Sequence, residues 1–321
     1  MPQSSDADDI EDLGPTETGI VWHYTDAGGL LGMLSNNVLW ATSYSHLNDG
    51  AEIQTGIQVL DEAADELQLT ATQSWYVARQ IRRAKEDLER AHVFMLSAST
   101  EPDSLSQWRA YGGGSGFAVG LDASKALDVL SAPGYATSEY SPDQPDFGEV
   151  FQHVSPWREV IYDDAEQRRR ARLFIKEMAK FAPTEGTAEP AEGHALLNDA
   201  LGTLLYGRGG YEALAILMKD SGFKDEHEVR LYATIQNSPR FQQTRVSRFG
   251  LTPYVRLTGS SQRIGQDDRA FAAKEARPVP IVEIRIGPTP YVDSARTGLE
   301  ATLRQFGRED VTVSASEVPY R

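Results

Sequence analysis

The chain contains no cysteine. That excludes disulfide bonds, thiolate zinc sites and a cysteine nucleophile. It also lacks any run near the roughly 20 apolar residues that a membrane-spanning helix needs. Basic residues are scarce: 31 Lys and Arg stand against 47 Asp and Glu, for a net charge of -16. Broad electrostatic attraction of the whole molecule to nucleic acid is therefore unfavourable. There is no G-x-x-x-x-G-K-[ST] phosphate loop and no H-E-x-x-H metal motif. The glycine-rich stretch from Gly112 to Gly116 precedes an expected strand instead of joining a strand to a helix. It reads as a turn, not as a dinucleotide fingerprint.

The chain has 321 residues, 40% of them hydrophobic. That suffices for a large core, in one big domain or two modest ones. Residues 1–18 are acidic and polar, without the basic and apolar regions of a signal peptide. They are expected to be a disordered acidic N-terminus on a soluble, cytoplasmic protein with no membrane partner. Residues 19–321 are expected to form a single α+β domain, with a helical insertion at about residues 158–219.

Hydrophobic periodicity supplies the outline. Strands are expected at 19–25, 38–43, 92–99, 117–122, 225–233, 252–258, 278–288 and 311–316. Helices are expected after Asp26, from about 51, over about 71–91, near 104–111, across 160–182 and on to about 219, and over about 292–306. In the second of these, Ile53, Ile57 and Leu60 form an apolar stripe. The stretch 183–193 is a break punctuated by Pro and Gly.

One absence is local. From Val229 through Gln266 there is no Asp or Glu, while Arg230, Arg240, Arg245, Arg248, Arg256 and Arg263 all fall there. Arginine suits planar phosphate contacts. A second cluster, Arg168, Arg169, Arg170 and Arg172, has the same two readings: a phosphate site, or a solvated face balanced by acids elsewhere.

Three segments could carry chemistry. His23, Tyr24 and Thr25 end the first strand just before a helix, and His23 and Thr25 share a face; the alternative is a hydrogen-bonded histidine at a strand edge. Ser97, Ala98 and Ser99 end the strand at 92–99 and are followed by Trp108 and Tyr111; the alternative is capping plus a core aromatic. Within "DEHEVRLYA", period 2 would place Glu226, Glu228, Arg230 and Tyr232 on one face. Two carboxylates in one row repel unless a cation or substrate separates them. Arg230 supplies one cation and Lys219 could supply another; the alternative is a salt-bridged exposed face. Asn48, Asp49 and Glu52 could line a cleft or cap the helix that begins near Ala51.

On "WHYTDAGGLLGMLSNNVLWATSYSHLNDGAE", "FMLSASTEPDSLSQWRAYGGGSGFAVGLD", "MKDSGFKDEHEVRLY", "VEIRIGP" and "VSASEVPYR", the chain resembles the bacterial domain-of-unknown-function family 2971. The family usually writes Asn-Asp-Pro-x-Glu after its second strand; here Gly50 replaces the proline, while Asn48, Asp49 and Glu52 match. That family in turn looks like a distant relative of ADP-ribosyltransferases, with an H-x-T first strand, a Ser-x-Ser middle strand and a late Glu-x-Glu strand. The resemblance implies an ADP-ribosyltransferase-like split sheet, mixed or antiparallel, with an inserted helical block. It implies NAD as substrate and a nucleic-acid or protein acceptor, and the role of a toxin or phage-defence effector. By that analogy Glu228 stabilises the ribosyl cation and Glu226 orients or deprotonates the acceptor. His23 and Thr25 hold ribose or phosphate, Tyr24, Trp108 or Tyr111 stacks on nicotinamide, and Ser97 and Arg230 complete the NAD site. Two other readings remain: a metal-dependent nuclease using Asp49, Glu52, Glu226 and Glu228, and a non-catalytic nucleotide-binding sensor.

Overall fold

The structure, a computed structural model, describes residues 19–46, 50–89, 93–112, 116–131, 153–183, 208–235, 241–248, 250–263 and 273–320. The expected disordered N-terminus lies outside them. The chain divides into two compact units, one bearing the sheet (Pro15–Ser43, Phe94–Glu159 and Asp225–Arg321) and one helical (Tyr44–Val93 and Val160–Lys224). The class is α+β, with a mixed sheet of mostly antiparallel strands.

The sheet is built from β1 (Ile20–Thr25), β2 (Leu39–Ser43), β3 (Val93–Ser99), β4 (Phe117–Asp122), β5 (Lys125–Leu130), β6 (His153–Val154), β7 (Arg158–Glu159), β8 (Glu228–Thr234), β9 (Gln242–Ser247), β10 (Gly250–Arg263), β11 (Ile281–Ile286) and β12 (Thr312–Ala315). Their spatial order is β12-β11-β4-β1-β3-β2-β10-β5; β8 also pairs with β3, β6 and β7 pair with β8, and β9 pairs with β10. β11 and β12 run parallel, and the intervening chain returns through a helix as such a crossover requires.

Alternation sorts the two faces. Val21, Leu39, Ala41, Phe94, Leu96, Val119, Val229, Leu231 and Leu257 enter one buried core cluster. Helix α1 (Ala27–Asn36) covers it with Leu30, Met33 and Leu34. Asp26 caps α1 by accepting from the Gly29 N–H at 2.7 Å, and Asn37 ends it in the left-handed region. On the other face Trp22, Tyr24 and Ala118 pack with Trp108.

The helical unit contains α2 (Gly50–Glu66), α3 (Ala71–Glu89), α5 (Asp164–Ala179) and α6 (Arg208–Leu217). The sheet-bearing unit holds α4 (Leu105–Tyr111) and α7 (Val292–Gln305), whose Leu299 and Leu303 enter the main core. Helix α6 is buried on every side from Tyr211 on, so it is the centre on which α2 and α3 pack. The expected stripe of α2 holds: Ile53 and Leu60 are buried and Ile57 half-buried. At Gly56 an added Cβ would fall 2.2 Å from the Ala215 carbonyl oxygen, so only glycine lets α2 and α6 approach this closely. The described helices of the 160–219 stretch, α5 and α6, thus lie in one compact unit with α2 and α3. Among the described residues no helix is long and apolar enough to cross a membrane.

Candidate functional site

The three expected segments lie on neighbouring strands. β3 pairs with β1 and with β8, so the Ser97–Ser99 strand is the neighbour of both the His23 strand and the Glu228 strand. His23 Nδ1 donates to the Ser97 carbonyl oxygen at 2.9 Å. A carbonyl only accepts, so the proton sits on Nδ1 and Nε2 is the acceptor of the neutral ring. Burial lowers the His23 pKa, and the Ser97 hydrogen bond offsets this only in part. On the other side, Ser99 Oγ donates to the Glu226 carbonyl at 2.7 Å, and the Thr100 N–H donates to the His227 carbonyl at 2.9 Å.

The row in "DEHEVRLYA" is shorter than alternation suggests. Ser221–Glu226 form a 3-10 turn, and His227 has a left-handed φ of 45°. The strand begins only at Glu228. Glu226 is therefore a half-buried turn residue, and the expected row of four starts with Glu228, Arg230 and Tyr232. These face away from the core that takes Val229 and Leu231. Arg230 Nε donates to Glu228 Oε1 at 2.7 Å and Nη2 to Oε2 at 2.8 Å. The guanidinium is 2% exposed and the carboxylate side chain 8%, so this fork is a desolvated ion pair and not a solvated face.

Register places the remaining residues. Trp22 lies directly opposite Ser99. Trp22, Tyr24, Ser97 and Ser99 therefore share the face away from the main core, which is also the face of Glu228 and Arg230. His23 and Thr25 alternate with Trp22 and Tyr24 and lie on the core side with Val21. The structure thus gathers Tyr24, Trp108, the β3 hydroxyls and the Glu228–Arg230 pair onto one face. His23 meets this group through the Ser97 backbone alone.

The Tyr24 and Trp108 rings meet edge to face at 4.7 Å. Tyr24 Oη donates to the Glu101 carbonyl at 2.7 Å and accepts from the Ser104 N–H at 2.9 Å. Burial pushes its pKa up to about 12. Beside the rings is a cavity of about 330 Å³, lined by Trp108 and Arg109 of α4, by Pro288 and by Tyr320. That is at the low end of the about 300–1,000 Å³ usual for ligand cavities. Tyr111 ends α4 and is 44% exposed.

Asp103 is a residue that the pattern concealed. It reads as part of a capped helix start, yet Ser104 is the N-cap residue. Asp103 instead accepts from Trp108 Nε1 at 2.8 Å, from Ser316 Oγ at 2.5 Å and from the Glu317 N–H at 2.7 Å. It holds both the indole and the C-terminal segment that carries Tyr320 to the cavity. Only the juxtaposition of residues more than 200 positions apart reveals it.

Lys219 belongs to the helical unit. It is 3% exposed, and its Nζ sits 4.8 Å from the centre of the Phe223 ring. Asn48 and Asp49 lie outside the described residues, as does the Glu52 side chain. Among the described residues no cluster of His, Asp and Glu could hold a metal ion. Arg169 and Arg170 both pair with Glu166, and Arg172 with Glu66. That cluster is the balanced helix surface of the two readings offered for it.

No curated protein and no solved structure matches the chain. A family profile described as "Protein of unknown function (DUF2971)" matches residues 107–231, from α4 through most of β8. The match includes Trp108, Glu226, Glu228 and Arg230. Over residues 107–231 the chain is similar to the DUF2971 family of proteins of unknown function.

Proposed function

We propose that the protein is an NAD-cleaving enzyme of the ADP-ribosyltransferase type. The observation that carries this reading is the buried Glu228–Arg230 fork on the strand beside the β3 hydroxyls, facing the same way as Tyr24 and Trp108. In the reaction the bond from ribose C1′ to the nicotinamide nitrogen breaks, and nicotinamide leaves with the electron pair. An acceptor oxygen or nitrogen, or water, forms the new bond to C1′ and loses its proton. The transition state carries oxocarbenium charge, which a carboxylate stabilises.

Glu228 is the residue for that role. A carboxylate oxygen has two acceptor sites, and Arg230 donates once to each oxygen of Glu228. Arg230 holds the group ionised and in one orientation. Glu226, in the turn one step earlier, would take the acceptor's proton. Tyr24 keeps its proton to about pH 12, so it would act as a neutral wall with Trp108. His23, on the other face, would serve by fixing the Ser97 backbone.

The test is incubation of purified protein with cell extract and NAD labelled on the adenine side, comparing wild type with Glu228→Gln. Transfer or release of label by wild type, lost in the variant while its thermal melt stays cooperative, supports the reading. Absence of both label transfer and nicotinamide release in wild type refutes it. One observation favours a second reading, a non-catalytic nucleotide sensor: Arg230 already engages both Glu228 oxygens. That reading predicts saturable NAD binding with no turnover.

A further inference from the structure

Within the acid-free stretch β9 and β10 pair as an antiparallel hairpin, and β10 also pairs with β2. Its outward face carries an aromatic residue set among arginines. Trp40 lies opposite Arg256, and Thr42 lies opposite Tyr254. The Trp40 and Tyr254 rings are 4.8 Å apart, and the Arg245 guanidinium sits 5.5 Å from the centre of the Trp40 ring. Arg245 Nη2 donates to Thr42 Oγ1 at 3.0 Å, and Arg256 Nη2 to the Ser131 carbonyl at 2.5 Å. The Nε–H of each arginine has no partner among the described residues.

Trp40 is nonetheless 46% exposed. A tryptophan held by a tyrosine and an arginine, yet open to solvent, presents a fixed ring face to a ligand. Its register through Thr42 and Met95 puts it on the sheet face that carries Ser97, Ser99 and Glu228. In a chain of net charge -16, this concentration of arginine without acids in the same stretch is complementary to a polyanion. Flat rings for base stacking and guanidinium groups for phosphates are the parts of a single-strand platform.

We infer that the face formed by Trp40, Arg245, Tyr254 and Arg256 binds single-stranded nucleic acid. As the place where an acceptor docks, the inference rests on the NAD-cleaving reading; as a binding surface it stands independently, because binding needs neither NAD nor the Glu228 carboxylate. Bases stack on Trp40 while Arg245 and Arg256 contact phosphates. A duplex keeps its bases paired away from the ring and lacks that contribution.

Fluorescence anisotropy with a labelled single-stranded RNA oligonucleotide of mixed sequence tests it, with the same sequence as single-stranded DNA and as duplex alongside. Wild type should bind either single strand saturably and more tightly than the duplex, with affinity falling as salt rises. Trp40→Leu and Arg245→Gln should each weaken binding about tenfold, the worth of one stacked base or one desolvated contact. Glu228→Gln and Val246→Ser, the latter on the hairpin's other side and 83% exposed, should bind as wild type does. Circular dichroism checks that the variants are folded, and Arg245→Lys gives a second, milder probe that should lose part of the affinity. Absence of saturable binding by wild type overturns the inference. So does binding that is equal for duplex and single strand and indifferent to Trp40. Loss of NAD cleavage in Glu228→Gln with unchanged RNA binding would separate this result from the fate of the catalytic reading.

Discussion

The Glu228–Arg230 pair makes a strong demand on stability. Both groups are nearly solvent-free, so their charge-assisted fork replaces part of the solvation each has lost. Replacing Arg230 by Met keeps the volume but leaves a buried carboxylate without its fork. Breaking a buried pair in this way costs about 3–5 kcal/mol. For a unit of this size that lowers the melting temperature by about 6–20 °C. Replacing both partners, as Glu228→Leu with Arg230→Met, removes the stranded charge and should recover more than half of the loss. Thermal melts of wild type, the two single variants and the double variant close the cycle. If Arg230→Met melts within about 2 °C of wild type, below the shift expected for even 1 kcal/mol, or if the double variant loses the sum of the singles, the pair is not desolvated and the reasoning fails.

Other consequences follow from single residues. His23 has a lowered pKa in the folded state, so the unfolded chain binds the proton more readily. Its contribution is present above the unfolded value of about 6.5 and is lost as pH falls below it; in His23→Gln, urea midpoints should lose that part of their pH dependence. Asp103→Ala removes three hydrogen bonds, at a partly exposed site worth about 2–4 kcal/mol together, and limited proteolysis should then release the C-terminal residues first. Gly287→Ala would set a Cβ 2.9 Å from both the Gly116 carbonyl oxygen and the Trp108 ring; overpacking of about 1–3 kcal/mol should appear as a lower melt and a changed tryptophan spectrum. If the protein acts as a toxin, its induced expression in bacteria should arrest growth, and Glu228→Gln should relieve the arrest.

Much of the sheet was legible because alternation is local. Period 2 separates Glu228 and Arg230 from Val229 and Leu231, and in the structure the latter pair enters the core. The stripe of α2 was legible for the same reason. What alternation could not show was where it starts. The left-handed backbone at His227 depends on the turn before it and on the Thr100 contact, and it takes Glu226 out of the row. Equally, the sequence separates Trp22 and Tyr24 from His23. Which of the two faces meets Glu228 is set by the Trp22–Ser99 register between distant segments. Asp103 was hidden because its partners lie at the other end of the chain, and the helical unit because its two halves are separated by β3 to β7.

The account turns on the carboxylate of Glu228. Nicotinamide release from NAD by the purified protein, with wild type, Glu226→Gln and Glu228→Gln at matched folded fractions, addresses it most directly. The account predicts release by wild type. Glu228→Gln should lower it about 100- to 1,000-fold, the usual cost of losing a group that stabilises transition-state charge. Glu226→Gln should keep nicotinamide release while losing transfer to an acceptor. Release that is undiminished in folded Glu228→Gln would contradict it.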